Sequence, residues 1–189
     1  MHIFINAVSA QWYICLFDNT RSVIAEKYIH VKWNESSKLI DILHEFFQKQ
    51  KVSYSDIENL IVVNGPGSFT GLRTISLIVN TIAFTNRCFL TELSYFELFT
   101  SYPIIKTSSK RDVFIKKTSE SDIEILPNQE LENYLQNSHI KKVHWEHNVW
   151  ENDNIVLMGT IDYNSIIQSI ELENKKLIRP LYIKKPNIQ

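Results

Sequence analysis

Up to Val31 the chain alternates apolar and polar positions in short runs. Ile3-Phe4-Ile5 is a brief apolar run, Trp12 to Phe17 a longer one, and Val23 to Val31 alternates loosely. The polar stretch Asp18-Asn19-Thr20-Arg21-Ser22 separates the second from the third. Turn formers between β-rich runs mark hairpins, so the opening predicts three antiparallel strands. The rhythm then changes. Asn34-Glu35-Ser36-Ser37 offers N-cap side chains for a helix reaching about Lys49. Its apolar residues Leu39, Ile40, Ile42, Leu43, Phe46 and Phe47 form a stripe wider than one helix face needs. Leu60 to Val63 suits an interior parallel strand. From Leu72 to Phe84 the period is helical and the residues are apolar on nearly every side. Ser94 with Glu97 predicts a capping box for a short helix ended by Pro103. The order read to this point is βββαβαα.

Beyond about Lys106 the chain turns polar and the signals weaken. Val113-Phe114-Ile115, Glu124-Ile125-Leu126, Ile140 to Trp145 and Ile155 to Met158 read as strands, with a helix near Gln129 to Gln136. Asp162 is placed to cap a last helix reaching about Asn174. The change of character over Ser101 to Ser109 predicts two lobes, residues 1–103 and 104–189.

Composition narrows the picture only a little. The 189 residues have a formal net charge of −1, so no global positive field draws nucleic acid. Cys15 and Cys88 lie far apart in apolar runs, which predicts two buried thiols rather than a disulfide framework. Met1 onward lacks the pattern of a signal peptide, and no run approaches the roughly 18 apolar residues of a membrane span. A cytoplasmic protein is the expectation.

Chemistry concentrates in one segment. The chain has four glycines, and Gly65, Gly67 and Gly71 fall within seven residues of one another. A strand, a glycine loop and a helix can turn free N–H groups towards an anion. The same residues also serve a tight turn, with Ser68 or Thr70 capping the helix. Leu72 and Arg73 follow Gly71 where a Walker A loop needs lysine and a hydroxyl, and the spacing is not the dinucleotide fingerprint.

Gly65-Pro66-Gly67-Ser68-Phe69-Thr70-Gly71-Leu72-Arg73 resembles the signature of the TsaB (YeaZ) family, and Pro180-Leu181-Tyr182-Ile183-Lys184 resembles that family's C-terminal segment. The resemblance implies an α/β fold of the actin-like, sugar-kinase and Hsp70-type ATPase (ASKHA) class. It implies one full N-terminal lobe, which binds the partner, and a second lobe that is shortened here. It also implies a non-catalytic subunit with no cofactor, no metal and no catalytic residue. Such a subunit binds and activates a TsaD-type catalytic protein, and a TsaE-type ATPase can join them. The complex transfers threonylcarbamoyl to N6 of the adenosine beside the anticodon in ANN-decoding tRNAs. Two departures stand out. Asn6 replaces the usual aspartate at the end of the first strand, Ala7 replaces a threonine, and an amide coordinates Mg²⁺ weakly. Thr107-Ser108-Ser109 also stands where the family opens its second lobe with an Asp-Ala-Arg-type segment.

Other constellations weigh less. His144 and His147 lie three apart, so on a strand they point to opposite faces, and a solvated strand end is the expectation. No two histidines lie four apart, which separates the chain from the metal-binding TsaD paralogue. Lys175, Lys176, Arg179, Lys184 and Lys185 make a basic end, a solvated edge or an auxiliary tRNA contact. The wide stripes of the two main helices suggest a covered surface, with Leu39, Leu43, Phe46, Leu72, Ile75, Val79 and Ile82 as the expected partner interface. Mutual burial of the helices is the competing explanation. Two further functions stay open: a nucleotide-dependent hydrolase or kinase using the Gly65–Gly71 loop, and a self-associating scaffold forming a homodimer.

Overall fold

A computed structural model describes residues 1–30, 36–109, 111–140, 142–145, 156–157 and 160–184. Within the expected elements, Val31, Asn34, Glu35, Ile155 and Met158 lie outside the described residues, as do His147 and Lys185. The chain divides into two units, one made of Met1–Tyr95 with Asn164–Gln189 and the other of Phe96–Tyr163.

The first unit is built on a five-stranded sheet in the order β3-β2-β1-β4-β5. Strands β1 (His2–Asn6), β2 (Gln11–Phe17) and β3 (Val23–His30) form the antiparallel meander that the alternation predicts. Asp18 closes the β2–β3 turn by accepting hydrogen bonds from the Thr20 and Ser22 amides at 2.8 and 2.9 Å. Strand β4 (Asn59–Gly65) pairs parallel to β1, and β5 (Phe89–Ser94) pairs parallel to β4. Parallel neighbours require crossovers. Helix α1 (Leu39–Gln50) lies in the connection before β4, and α2 (Phe69–Asn86) joins β4 to β5. Strand β5 occupies the apolar run beside Cys88 and is an addition to the expected order.

Period-2 alternation sorts the strand side chains. Ile3, Ile5, Trp12, Ile14, Leu16, Leu60, Val62 and Leu90 join one core with the inward residues of α1 and α2. Phe4, Tyr13, Cys15, Phe17 and Ile61 point to the other face, which is also buried. Cys15 and Cys88 are free and buried, and burial pushes the Cys15 thiol up to about 11, keeping it protonated. The last helix, α4 (Tyr163–Ser169), is shorter than the one expected to reach Asn174. Past Ile170 the chain is extended because it is recruited by the sheet. The Glu173 carbonyl accepts from Asn59 Nδ2 at 2.7 Å, its amide donates to Thr91 Oγ1 at 2.8 Å, and Lys175 and Leu90 exchange backbone hydrogen bonds of 2.9 and 3.1 Å.

The second unit carries its own five-stranded sheet, β10-β9-β6-β7-β8. Strands β6 (Ile104–Thr107), β7 (Asp112–Lys116) and β8 (Glu124–Pro127) form a meander, while β9 (Lys142–Trp145) and β10 (Val156–Leu157) add in parallel. Helix α3 (Asn128–Asn137) sets Leu131 and Leu135 against Ile105, Val113, Ile115 and Val143. Strand β6 was not expected; β7, β8, α3 and β9 lie close to the predicted segments. Where Ser94 and Glu97 predict a short helix, the chain makes only a 3-10 turn, Tyr95–Leu98. Helix α1 likewise follows a 3-10 turn, Ser36–Lys38, and begins with no side-chain cap at Lys38.

Candidate functional site: the glycine loop and the C-terminal segment

The glycine loop links the end of β4 to α2. Gly65 has φ +140°, and a Cβ there would sit 2.8 Å from the Leu181 carbonyl oxygen, so both conformation and space demand glycine. A Cβ on Gly67 would crowd Leu72 at 3.3 Å and meet Val8 at 3.7 Å. Ser68 caps α2, its Oγ accepting from the Gly71 amide at 3.1 Å. The capping role expected of Ser68 is therefore filled, and Thr70 lies exposed on the first turn.

The C-terminal segment comes to the same place. Asn80, near the middle of α2, exchanges two hydrogen bonds of 3.0 Å with the Ile178 backbone, one to its carbonyl and one from its amide. Asn64 accepts the Leu181 amide on its backbone oxygen at 2.9 Å and donates from Nδ2 to the Arg179 carbonyl at 3.3 Å. Tyr182 then lays its ring on Phe69, with centroids 4.9 Å apart and planes tilted by 32°, and the Arg73 guanidinium lies 5.4 Å from the Phe69 ring centre. The two segments that carry the family resemblance, more than a hundred positions apart in sequence, form one surface. Sequence reasoning found each of them but could not see that they touch.

At the end of β1, Asn6 is fully buried and spent on its own turn. Its Oδ1 accepts from the Val8 and Ser9 amides at 3.2 and 3.3 Å, and its Nδ2 donates to Ser9 Oγ at 2.6 Å. An amide so employed stabilises a tight β1–β2 connection and carries no charge to offer a metal.

The expected partner-interface residues need correcting. Leu39, Leu43, Phe46, Leu72, Ile75, Val79 and Ile82 are all buried in the first unit, where α1 and α2 meet the sheet. They are the inward stripes of the two helices and cannot also be the surface a partner touches. The apolar side chains left outside are others. On α2, Leu77 is 69% exposed and Phe84 85% exposed, and on α1 only Ile40 is comparable, at 41%. The outer face of α1 otherwise carries Asp41, His44, Glu45, Gln48 and Lys49, an ordinary polar face. A helical wheel separates the two sets on α2. Leu77 and Phe84 lie seven apart, nearly opposite the stripe of Leu72, Ile75, Val79 and Ile82.

His144 is also corrected: it is buried, not solvated, and its Nε2 lies 2.7 Å from Ser101 Oγ with the Phe99 ring against it. Among the described residues no group of three or more His, Cys, Asp or Glu side chains could hold a metal ion. No helix among them is long and apolar enough to cross a membrane.

Comparison with known proteins agrees with this geometry. The chain superposes on YeaZ from Pseudomonas aeruginosa with a TM-score of 0.56 at 13% identity, covering 67% of each chain. It superposes equally on a crystal structure described as an uncharacterized protein with similarity to peptidase YeaZ from P. aeruginosa, with a TM-score of 0.55 at 13% identity, covering 67% of this chain and 66% of that one. In sequence, it is 30% identical over 64 residues to the tRNA threonylcarbamoyladenosine biosynthesis protein TsaB of Bacillus subtilis. The resemblance to the TsaB (YeaZ) family therefore holds in fold and in part of the sequence. The match to B. subtilis TsaB spans 34% of this chain and 28% of that protein, so it is a local likeness. A longer match, 28% identical over 194 residues, covers 97% of this chain and 95% of an uncharacterized MG208 homolog from Mycoplasma pneumoniae. No model of a protein family matches the chain. The TsaB-type fold at these levels of identity leaves partner and reaction to be argued from the surface.

Proposed function

We propose that the chain serves threonylcarbamoyl-adenosine formation on tRNA as a non-catalytic subunit, docking on a TsaD-type catalytic protein and holding it in its competent state. The observation that carries this reading is the outer face of α2, where Leu77 and Phe84 stand almost bare. A helix on the outside of a sheet normally presents polar residues there, and large apolar side chains on one face of a rigid helix, here about two turns apart, suit a docking patch. Covering them within a specific complex of about 1,600 Å² would remove both from water. Asn6 and Ser68, the side chains best placed for nucleotide chemistry at the loop, are already engaged within the fold, which weighs against the hydrolase or kinase alternative. The first unit would act as the docking lobe and the second as a reduced counterpart of the family's other lobe.

The decisive experiment is co-purification with the TsaD-type protein encoded by the same genome. Leu77→Glu with Phe84→Glu is expected to abolish association while the far-ultraviolet circular dichroism stays native. Retained association would overturn the assignment of this face. Native mass spectrometry of the chain alone and with its partner separates a homodimer, which would use the same face, from the heterodimer. Nucleoside analysis of tRNA after gene deletion tests the pathway itself, and retained modification would contradict it.

A further inference from the structure

The chain as a whole offers a polyanion no attraction, with a formal net charge of −1. Its cations are nevertheless unequally employed. Lys175 is paired with Glu92 at 2.7 Å and Glu173 at 2.9 Å, and Lys176 lies 3.9 Å over the Phe89 ring. Arg179 and Arg73 are exposed, and neither has a carboxylate partner among the described residues. Both are fixed at the corner where the glycine loop meets the C-terminal segment: Arg179 through its carbonyl on Asn64, Arg73 on the first turns of α2 beside the Phe69 ring. The Phe69–Tyr182 ring pair belongs to the same corner, with Phe69 37% and Tyr182 40% exposed. Glu92, which Asn64 ties to the end of β4, is already held by Lys175 and Asn64 Nδ2.

From this corner we infer a binding surface for unpaired RNA, in which a base stacks on the outer face of Tyr182 and flanking phosphates meet Arg179 and Arg73. A half-wet ring backed by a second ring is a rigid platform for a flat π-system. Two exposed guanidinium groups at the same corner, without a carboxylate partner among the described residues, suit the phosphates that flank a base. A duplex keeps its base faces covered, so the surface favours loops and single strands over helices. An acidic peptide would use the arginines but gain little from the platform. Local cations can act despite the net charge of −1 because screening confines each to about 8 Å at physiological salt. The inference deepens the tRNA reading above, but it rests on different residues from the docking face and is tested without the partner.

The test is fluorescence anisotropy of the full chain with a labelled RNA hairpin carrying a seven-nucleotide loop, beside a blunt RNA duplex of equal length. The hairpin is expected to bind more tightly. Tyr182→Ala should weaken it about tenfold, whereas Tyr182→Phe and Tyr182→Trp should retain it. Arg179→Glu should weaken it and flatten the salt dependence by about one phosphate contact. Circular dichroism melts matched to the parent rule out unfolding as the cause. Leu77→Glu with Phe84→Glu should leave RNA binding unchanged, so the two faces fail separately. The inference is overturned by absent hairpin binding, by a duplex that binds equally well, or by Tyr182→Ala binding like the parent. A Tyr182→Ala chain that loses the protein partner but not RNA would assign the corner to docking instead.

Discussion

Helices α1 and α2 put inward stripes of much the same character into one core, yet their outer faces differ. Around α1 the solvent meets Asp41, His44, Glu45, Gln48 and Lys49 with Ile40 as the one large apolar side chain, while around α2 Phe69, Leu77 and Phe84 stand among Thr70, Arg73, Thr81 and Thr85. Helix α2 is also gripped from outside the sheet, by Ser68 at its start and by the Asn80–Ile178 hydrogen bonds along its length. Among the described residues no comparable clamp reaches α1. One helix is scaffold; the other is scaffold and, on the function proposed above, surface. Richness in apolar residues alone does not distinguish the two roles, because it counts the stripe and the outer face together.

The comparison breaks first at its shared half. Leu43→Asp on α1 and Val79→Asp on α2 each bury an unpaired charge in the same core, and each should cost more than about 4 kcal/mol. Urea denaturation should find both chains unfolded or nearly so; a folded Val79→Asp protein would mean that α2 does not pack as described. The next effect belongs to the α2 side alone. Gly65→Ala is expected to lose about 2–3 kcal/mol through its positive φ and the Leu181 carbonyl, read as a lowered urea midpoint with unchanged slope. Asn80→Ala removes the partner of both Ile178 backbone groups and should cost about 1–2 kcal/mol. Faster hydrogen exchange confined to the Ile178 amide and its neighbours would show that the clamp, rather than the whole unit, was released. The smallest effect on stability sharpens the contrast most. Glu45→Lys on α1 and Leu77→Glu on α2 should each change stability by less than about 0.5 kcal/mol, since both positions face water. Only the second should weaken partner association in a pull-down.

Much of this architecture could be read from the pattern of residues. The opening meander follows from alternation interrupted by Asp18–Ser22, and β4, α2 and the Ser68 cap follow from the run before Gly65 and the period after it. Strand β5 escaped because Thr91 and Glu92 dilute its apolar run. A crossover argument would have recovered it: a parallel strand followed by a helix must come back to its sheet. The stretch after Ile170 reads as helix in the sequence because its hydrogen-bond partners, Asn59, Thr91 and Leu90, are near only in space. The outward position of Leu77 and Phe84 was available from the helical wheel, once helix burial was resolved by direction rather than summed. The meeting of Tyr182 with Phe69 was not available, since nothing in either segment names the other.

The division of the first unit between two stretches of chain bears on how the protein is made. A ribosome releases β1 to β5 well before the residues that hydrogen-bond to Leu90, Asn80 and Asn64. For that interval the β5 margin and the turn at Gly65 stand without the backbone groups that later satisfy them. The second unit, encoded between the two stretches, emerges while its neighbour is still incomplete. Completion of the first unit therefore waits until the second unit has been made, and a nascent chain stalled inside the second unit should remain sensitive to proteases at its glycine turn.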